Sequence, residues 1–350
     1  MSVAPPLGKE LASTEKKTRD KAVNDLRKFL ATTGEKPMSD LEMAKLWKGL
    51  FYCFWLSDKP LVQQELSTSL ADLLLVIPTQ DASFHFLRGF WQAIVREWSG
   101  LDYLRIDKYY MLVRKFVNAA FRLLIREQWS LVALAEYTDI MTGKGGPLNR
   151  EDRKIPTSLV YHLADIQNEE LNKAMSSEPT PPPVPLVPLF KPFFQLDAVA
   201  TASATHGRLQ SSLISPLLAA LLAHSAPPEK ARNYRTTVAS PTLSSGDAEG
   251  PRRKRARIEP PELPLPSICL NARLGDDGEE KDAEERESTD EAINTSPLPP
   301  ATLRKGLLKA IFDIASASDT KEANRRKMYR EWKEATELAE EMAIIDPDVA

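Results

Sequence analysis

Cysteine is nearly absent from this chain. Two occur in 350 residues, Cys53 and Cys269, which excludes a disulfide framework and suits a reducing compartment. Histidine is almost as scarce, and His85, His162, His206 and His224 have no metal-ligand spacing with the two cysteines. No run approaches the ~18–20 apolar residues that cross a bilayer. The opening MSVAPPLGKE lacks the apolar stretch of a secretory signal. A soluble intracellular protein with no membrane contact is therefore expected. Catalytic signatures are missing as well. GKGGPLNR from Gly143 has neither the Walker spacing nor its Lys-Ser/Thr pair. No Ser/His/Asp set or carboxylate cluster stands out for nuclease chemistry. The chain reads as a non-enzyme without cofactor or metal. Finally, no segment shows sustained period-two alternation, which excludes an extensive sheet.

What is present is unevenly distributed. Five of six tryptophans lie between Trp47 and Trp129, whereas 19 of 27 prolines lie between Ser176 and Pro300. Residues 1–175 carry 24 Lys+Arg against 22 Asp+Glu, and the remainder carries 22 against 27. So small a net charge does not suit general nucleic-acid coating, and any RNA contact must come from a local patch.

Apolar spacing divides the first 175 residues into consecutive helices. Val23, Leu26, Phe29 and Leu30 form a stripe that ends near Gly34 and Pro37. Helices are expected from about Asp40 to Leu56, Pro60 to Ile77, Asp81 to Trp98, Tyr103 to Glu127, Leu131 to Met141 and from Pro156 onward. Ser39 and Glu42 have capping-box spacing, Asp58 is placed to cap the second of these helices, and Pro60 fits its first turn. His85, between Phe84 and Phe86, is read as structural. The apolar segment Pro188 to Ala223 is expected to pack back on this domain, with a separate partner-binding strip as its alternative. The fold class is all-α, an antiparallel helix array suited to a bundle or a HEAT-like solenoid. Four parts are expected: a flexible terminus over 1–12, the all-α domain over 13–224, a disordered Pro-rich and acidic linker over 225–300, and a helical docking segment over 301–346.

Two strings stand out, LWKGLFYCFWLSDKPLVQQEL from Leu46 to Leu66 and GLDYLRIDKYYMLVR from Gly100 to Arg114. In this order and spacing they resemble the motifs of the ribosomal RNA-processing protein 1 family, the nucleolar Nop52 type. His162 to Ile166 and Glu169 to Leu171 resemble a third family motif. The resemblance is good from Lys16 to about Lys173 and favours the helical-repeat form. It implies a nuclear, nucleolar assembly factor of the precursor large ribosomal subunit (pre-60S). Such a factor is needed for processing of internal-spacer-containing pre-rRNA without cutting RNA itself. The implied partners are a Brix-domain factor, a zinc-bearing RNA-binding factor, a WD-propeller protein and pre-rRNA. A general nuclear helical-repeat adaptor that binds only proteins remains the alternative.

Several residues are candidates for contact. At ~100° per residue, Ile106, Tyr109, Tyr110, Val113, Phe116, Val117, Ala120 and Leu124 form one apolar face of their helix. Lys108, Lys115, Arg122 and Arg126 fall in a narrow stripe on the other side, which suits an RNA backbone, an acidic partner or simply solvent. Lys59 joins them at the Asp58-Lys59-Pro60 corner, read as a tight turn or as a partner contact. Arg252, Arg253, Lys254, Arg255 and Arg257 form a basic cluster that a nuclear import receptor can read. Ten acidic residues between Asp276 and Glu291 read as a solvated run.

Overall fold

The structure is a computed structural model that describes residues 7–32, 38–225, 263–275 and 296–344. Its helices begin and end where backbone chemistry requires. The first five are α1 (Leu7–Leu11), α2 (Lys16–Thr32), α3 (Asp40–Trp55), α4 (Pro60–Val76) and α5 (Gln80–Glu97). At the start of α3 the Ser39 hydroxyl accepts the Glu42 N–H, and the Glu42 carboxylate accepts the Ser39 N–H at 3.0 Å, a reciprocal capping box. Pro60 opens α4, where its missing N–H has no helical role. Asp58 does not cap α4 as its spacing suggests: Lys59 occupies the cap position in extended conformation, without a side-chain bond.

The chain continues through α6 (Ile106–Arg126), α7 (Leu131–Thr142), α8 (Thr157–Ser177), α9 (Leu186–Val199), α10 (Ser203–Leu209) and α11 (Ser215–Ser225). Between the last two, Gln210–Ile214 forms a π-turn. Helices two apart in sequence are neighbours in space. Thus α1, α3, α5, α7 and α9 pack in one series, and α2, α4, α6, α8 and α10 in the other. This two-layer stacking is that of a helical-repeat array. It explains why α6 buries more than one stripe, since it lies between α4 and α8 in its own layer.

Aromatic side chains fill the space between layers. Trp47 meets Phe86, Phe90 and Phe116, and its indole N–H donates to the Phe86 carbonyl at 3.0 Å. Phe90 and Phe116 stack with centroids 3.8 Å apart. α5 can approach this closely because residue 89 is glycine: a Cβ there would lie 2.4 Å from Trp47. Trp91, Trp98 and Trp129 are buried as well.

Two segments expected to be irregular are part of the fold. Leu7 and Leu11, assigned to a flexible terminus, are buried on one face of α1 against α3. Residues 263–275, assigned to the linker, form α12 (Pro266–Leu270) and a two-residue strand β2 (Ala272–Arg273). β2 pairs in parallel with β1 (Val184–Pro185), and Ala272 also accepts the Leu298 N–H at 2.8 Å. Ile268, Cys269 and Ala272 are fully buried. Proline density masked a short apolar run, LPLPSICLNARL, whose extended backbone finds ladder partners only in tertiary contact.

The chain then forms α13 (Pro300–Ser316) and α14 (Glu322–Ile344). α13 packs on α9 and α11, and α14 on α13 and α9. Gly306 leaves room for Leu274, which a Cβ would meet at 2.2 Å. Asn324 donates to the carbonyls of Asp197, Ala198 and Ala200 at 2.8–3.2 Å. His206 bridges the buried Asp197 at 2.8 Å and Glu331 of α14 at 3.0 Å. Those carboxylates hold its imidazolium up to about 9.

Two outcomes follow. Gly89→Ala pushes α5 off Trp47 and should cost about 1–3 kcal/mol, read as a lower midpoint in urea unfolding. His206, raised from 6.5 to about 9, contributes stability that is complete below 6.5 and lost as pH rises through 9. Stability should fall by on the order of 2–3 kcal/mol between pH 6 and 10, and His206→Gln should flatten that slope.

Candidate functional site

The last turn of any α-helix leaves carbonyls without intrahelical donors. At the end of α3 the chain turns sharply into Pro60, so those carbonyls need donors from elsewhere. They receive them from three directions. Lys108 Nζ donates to Trp55 O at 2.6 Å and Ser57 O at 2.8 Å. Arg19 donates to Leu56 O at 3.3 Å, and Gln63 donates to Ser57 O at 2.9 Å and Asp58 O at 3.1 Å. Lys108 is only 6% exposed, and burial pushes its ammonium down to about 8, still above neutrality.

Around this clasp the two motif strings form one contact. Tyr109 stacks on Phe51 at 4.8 Å and donates its hydroxyl to the Phe51 carbonyl at 3.0 Å. The Arg105 guanidinium lies over the Trp55 ring, 4.5 Å from its centroid. Asp102 holds Arg105 in place: its carboxylate pairs with the guanidinium and accepts the Leu104 and Arg105 N–H groups at 3.0 Å. This Asx-type turn delays the start of α6 to Ile106, three residues after the start that periodicity indicates. Tyr103 and Leu104 are thereby left in solvent, 82% and 73% exposed, beside the corner that carries Leu61, 79% exposed. Asp58, Lys59 and Pro60 are exposed there too.

The expected cation stripe on α6 is largely used inside the fold. Lys108 is a correction: it is the buried clasp and does not face solvent, because the corner bends over that side of α6. Arg126 performs the equivalent task at the far end, donating to the carbonyls of Ile77 at 2.9 Å and Leu75 at 3.4 Å at the end of α4. Arg122 reaches Asp72 of α4 at 3.2 Å. Lys115 is half-buried and has no hydrogen bond or ion pair among the described residues. On the α8 side, Arg114 binds Glu169 at 2.7 Å and Glu170 at 2.8 Å, and Lys173 completes that network. The basic cluster Arg252, Arg253, Lys254, Arg255 and Arg257 lies outside the described residues, as does the acidic run from Asp276.

The exposed trio Leu61, Tyr103 and Leu104 escaped the sequence reading. Periodicity placed Tyr103 at the start of the α6 helix. The signal against it was Asp102, a residue prone to bond its own following amides. Among the described residues, no group of three His, Cys, Asp or Glu is placed to hold a metal, and no helix is long and apolar enough to cross a membrane. Cys53 and Cys269 are buried free thiols, pushed up to about 11 and about 12 by burial.

Comparison with known proteins matches a family described as "Nucleolar protein, Nop52" over residues 2–332. The human "Ribosomal RNA processing protein 1 homolog A" is 29% identical over 339 residues, covering 95% of this chain and 70% of that protein. The mouse homolog B is 37% identical over 171 residues, covering 48% of this chain and 23% of that protein. The Drosophila melanogaster homolog is 32% identical over 173 residues, covering 49% and 25%. The chain thus spans well under half the length of the latter two.

Lys108→Ala leaves the Trp55 carbonyl without a donor and the Ser57 carbonyl with Gln63 alone, and should cost about 1–3 kcal/mol of stability, measured by thermal or urea unfolding. Lys115→Glu should stay within about 0.5 kcal/mol of the parent. Arg122→Glu, facing Asp72, should lose about 1 kcal/mol or less, because the pair is partly exposed.

Proposed function

The chain belongs to the Nop52 family of nucleolar proteins, and from that premise we propose that it acts in ribosomal RNA processing. In this reading it is a non-catalytic nucleolar factor that scaffolds assembly of the pre-60S particle, and processing of internal-spacer-containing pre-rRNA depends on it. Names of the relatives, all ribosomal RNA processing protein 1 homologs, support the process. Its partners are a Brix-domain factor, a zinc-bearing RNA-binding factor and a WD-propeller protein, with pre-rRNA held directly or through them.

One observation carries the scaffold reading. Lys108 and Arg126 on α6 close helix ends within the fold, while Leu61, Tyr103 and Leu104 stand exposed at the turns leading into α4 and α6. Exposed apolar side chains on hydrogen-bonded turns suit protein docking better than phosphate tracking. Lys59 at the rim and Lys115 on α6 are the cations still placed for an acidic partner or RNA backbone. Import is assigned to Arg252–Arg257 through a nuclear import receptor.

The test is to tag the endogenous protein, sediment nuclear extract through a gradient, and identify accompanying proteins and RNA. Co-migration with large-subunit precursors is expected. A light, RNA-free peak at low salt would instead indicate a general nuclear adaptor. The double variant Tyr103→Ser, Leu104→Ser should retain its melting temperature and leave the particle. Alanines at Arg252–Arg257 should reduce nuclear accumulation, and unchanged import would place the signal elsewhere.

A further inference from the structure

Many of the described surface cations are already answered by carboxylates. On α5, Arg88 is bound by Glu136 at 2.6 Å and Asp139 at 2.8 Å, and Arg96 by Glu97 at 2.8 Å. The outward row of α3 differs. At ~100° per residue, Leu41, Lys45, Lys48 and Tyr52 fall within about 60° of one another. All four are exposed, Leu41 by 64% and Tyr52 by 41%. Lys45 and Lys48 have no hydrogen bond or ion pair among the described residues, and Phe51 meets the Tyr52 ring edge-on at 5.8 Å. α1 runs along one flank of this row, so close at Gly49 that a Cβ there would lie 3.5 Å from the Gly8 Cα. It adds Lys9, exposed and likewise unpaired among the described residues. The α3 acids are engaged locally: Glu42 closes the capping box and Asp40 pairs with His85 at 3.1 Å. Half-buried Glu10 of α1 is left against three cations.

Cations one turn apart, followed by an exposed ring, select among partners. From Lys45 to Tyr52 the helix rises ~10 Å, about three steps of a nucleic-acid strand at ~3.4 Å each. Phosphates answer the lysines, and an unpaired base offers its flat face to the ring. An acidic peptide answers the lysines but brings nothing planar to Tyr52, and in a duplex the base faces are closed by stacking. Free lysines also stand on α2, Lys17 and Lys21, but the exposed residues that continue their row are Asn24 and Lys28. We infer that the outward row of α3, with Lys9 of α1, is a binding face for single-stranded RNA, on which Lys9, Lys45 and Lys48 hold phosphates and Tyr52 stacks a base. The inference rests on the ribosomal RNA reading and deepens it, making part of the hold on pre-rRNA direct; it uses none of the α6 cations.

The test is fluorescence anisotropy of a labelled oligouridylate, about twelve nucleotides long, titrated with the full chain at about 50 mM salt. Saturable binding is expected, with log K falling against log salt at a slope of about −2, as for three phosphates on a single strand. The double variant Lys45→Glu, Lys48→Glu should weaken binding about tenfold or more and flatten that slope. Lys17→Glu, Lys21→Glu makes the same change of charge on α2 and should stay within about threefold of the parent. Tyr52→Ala should lose about tenfold, and Tyr52→Phe, which keeps the ring, should bind as the parent does. These side chains are exposed, so melting temperatures should not move, and thermal melts check that each variant is folded. The proposal is overturned by absent or non-saturable binding, by equal losses from the two charge reversals, by undiminished binding of folded Tyr52→Ala, or by displacement of the RNA by polyglutamate at equal charge. The gradient reports on the ribosomal role separately. A protein that binds RNA on this face yet sediments light keeps the face and loses the pre-60S role, whereas co-sedimentation without RNA affinity overturns the face alone.

Discussion

Three carbonyls that lack helical donors where α3 ends, those of Trp55, Leu56 and Ser57, set the terms for much of this molecule. The chain must leave the helix at Trp55 and re-enter another at Pro60, and the turn is too short to satisfy its own acceptors. Lys108 supplies donors to two of these carbonyls from 51 and 53 residues away, and Arg19 to the third from 37 residues before it. Because Lys108 is fixed on α6, this bond sets α6 against α3 and α4, and the layers beyond α6 inherit that placement. The geometry accounts for why the two motif strings belong together. Each is the other's hydrogen-bond complement, with Tyr109 on Phe51 and Arg105 on Trp55 adding ring contacts around the same point.

A similar device recurs wherever the array would otherwise end on exposed backbone. Arg126 closes the far end of α4, and Asn324 fastens the end of α9 by three carbonyls. Helical-repeat arrays bury each helix between neighbours, so the last pair has no next repeat to cover it. Here α13 and α14 provide the cover, with His206 holding α14 through two carboxylates. The cover is incomplete near Arg304, where a cleft remains between α11, α13 and α14.

The use of charge inside the fold bears directly on function. A stripe of cations on a helical wheel has the same appearance whether it meets phosphate, solvent or the carbonyls of another helix. On α6 much of it meets backbone or carboxylate of the same chain. What stands in solvent ahead of α6 is the apolar pair Tyr103 and Leu104, in the turn held by Asp102 and Arg105. A braced turn loses little conformational entropy on binding, which is the property the proposed scaffold role calls for.

The sequence by itself determined the helices, their order and most of their ends. Period-3.6 spacing, the Ser39–Glu42 box and Pro60 act within a few residues, so their consequences are visible along the chain. It also determined the family, through two motifs in order. Only the tertiary structure decided what the polar groups do. The fate of Lys108 rests on carbonyls more than 50 residues away, and the strand at Ala272 rests on Val184. Tyr103 is exposed in the turn that Asp102 caps ahead of α6, its carboxylate and carbonyl both taking the following amides. Helical periodicity reports burial of apolar faces, which is local and averaged, whereas hydrogen-bond partnership is specific and long-range. For that reason the scaffold was legible in the residues and the site was not.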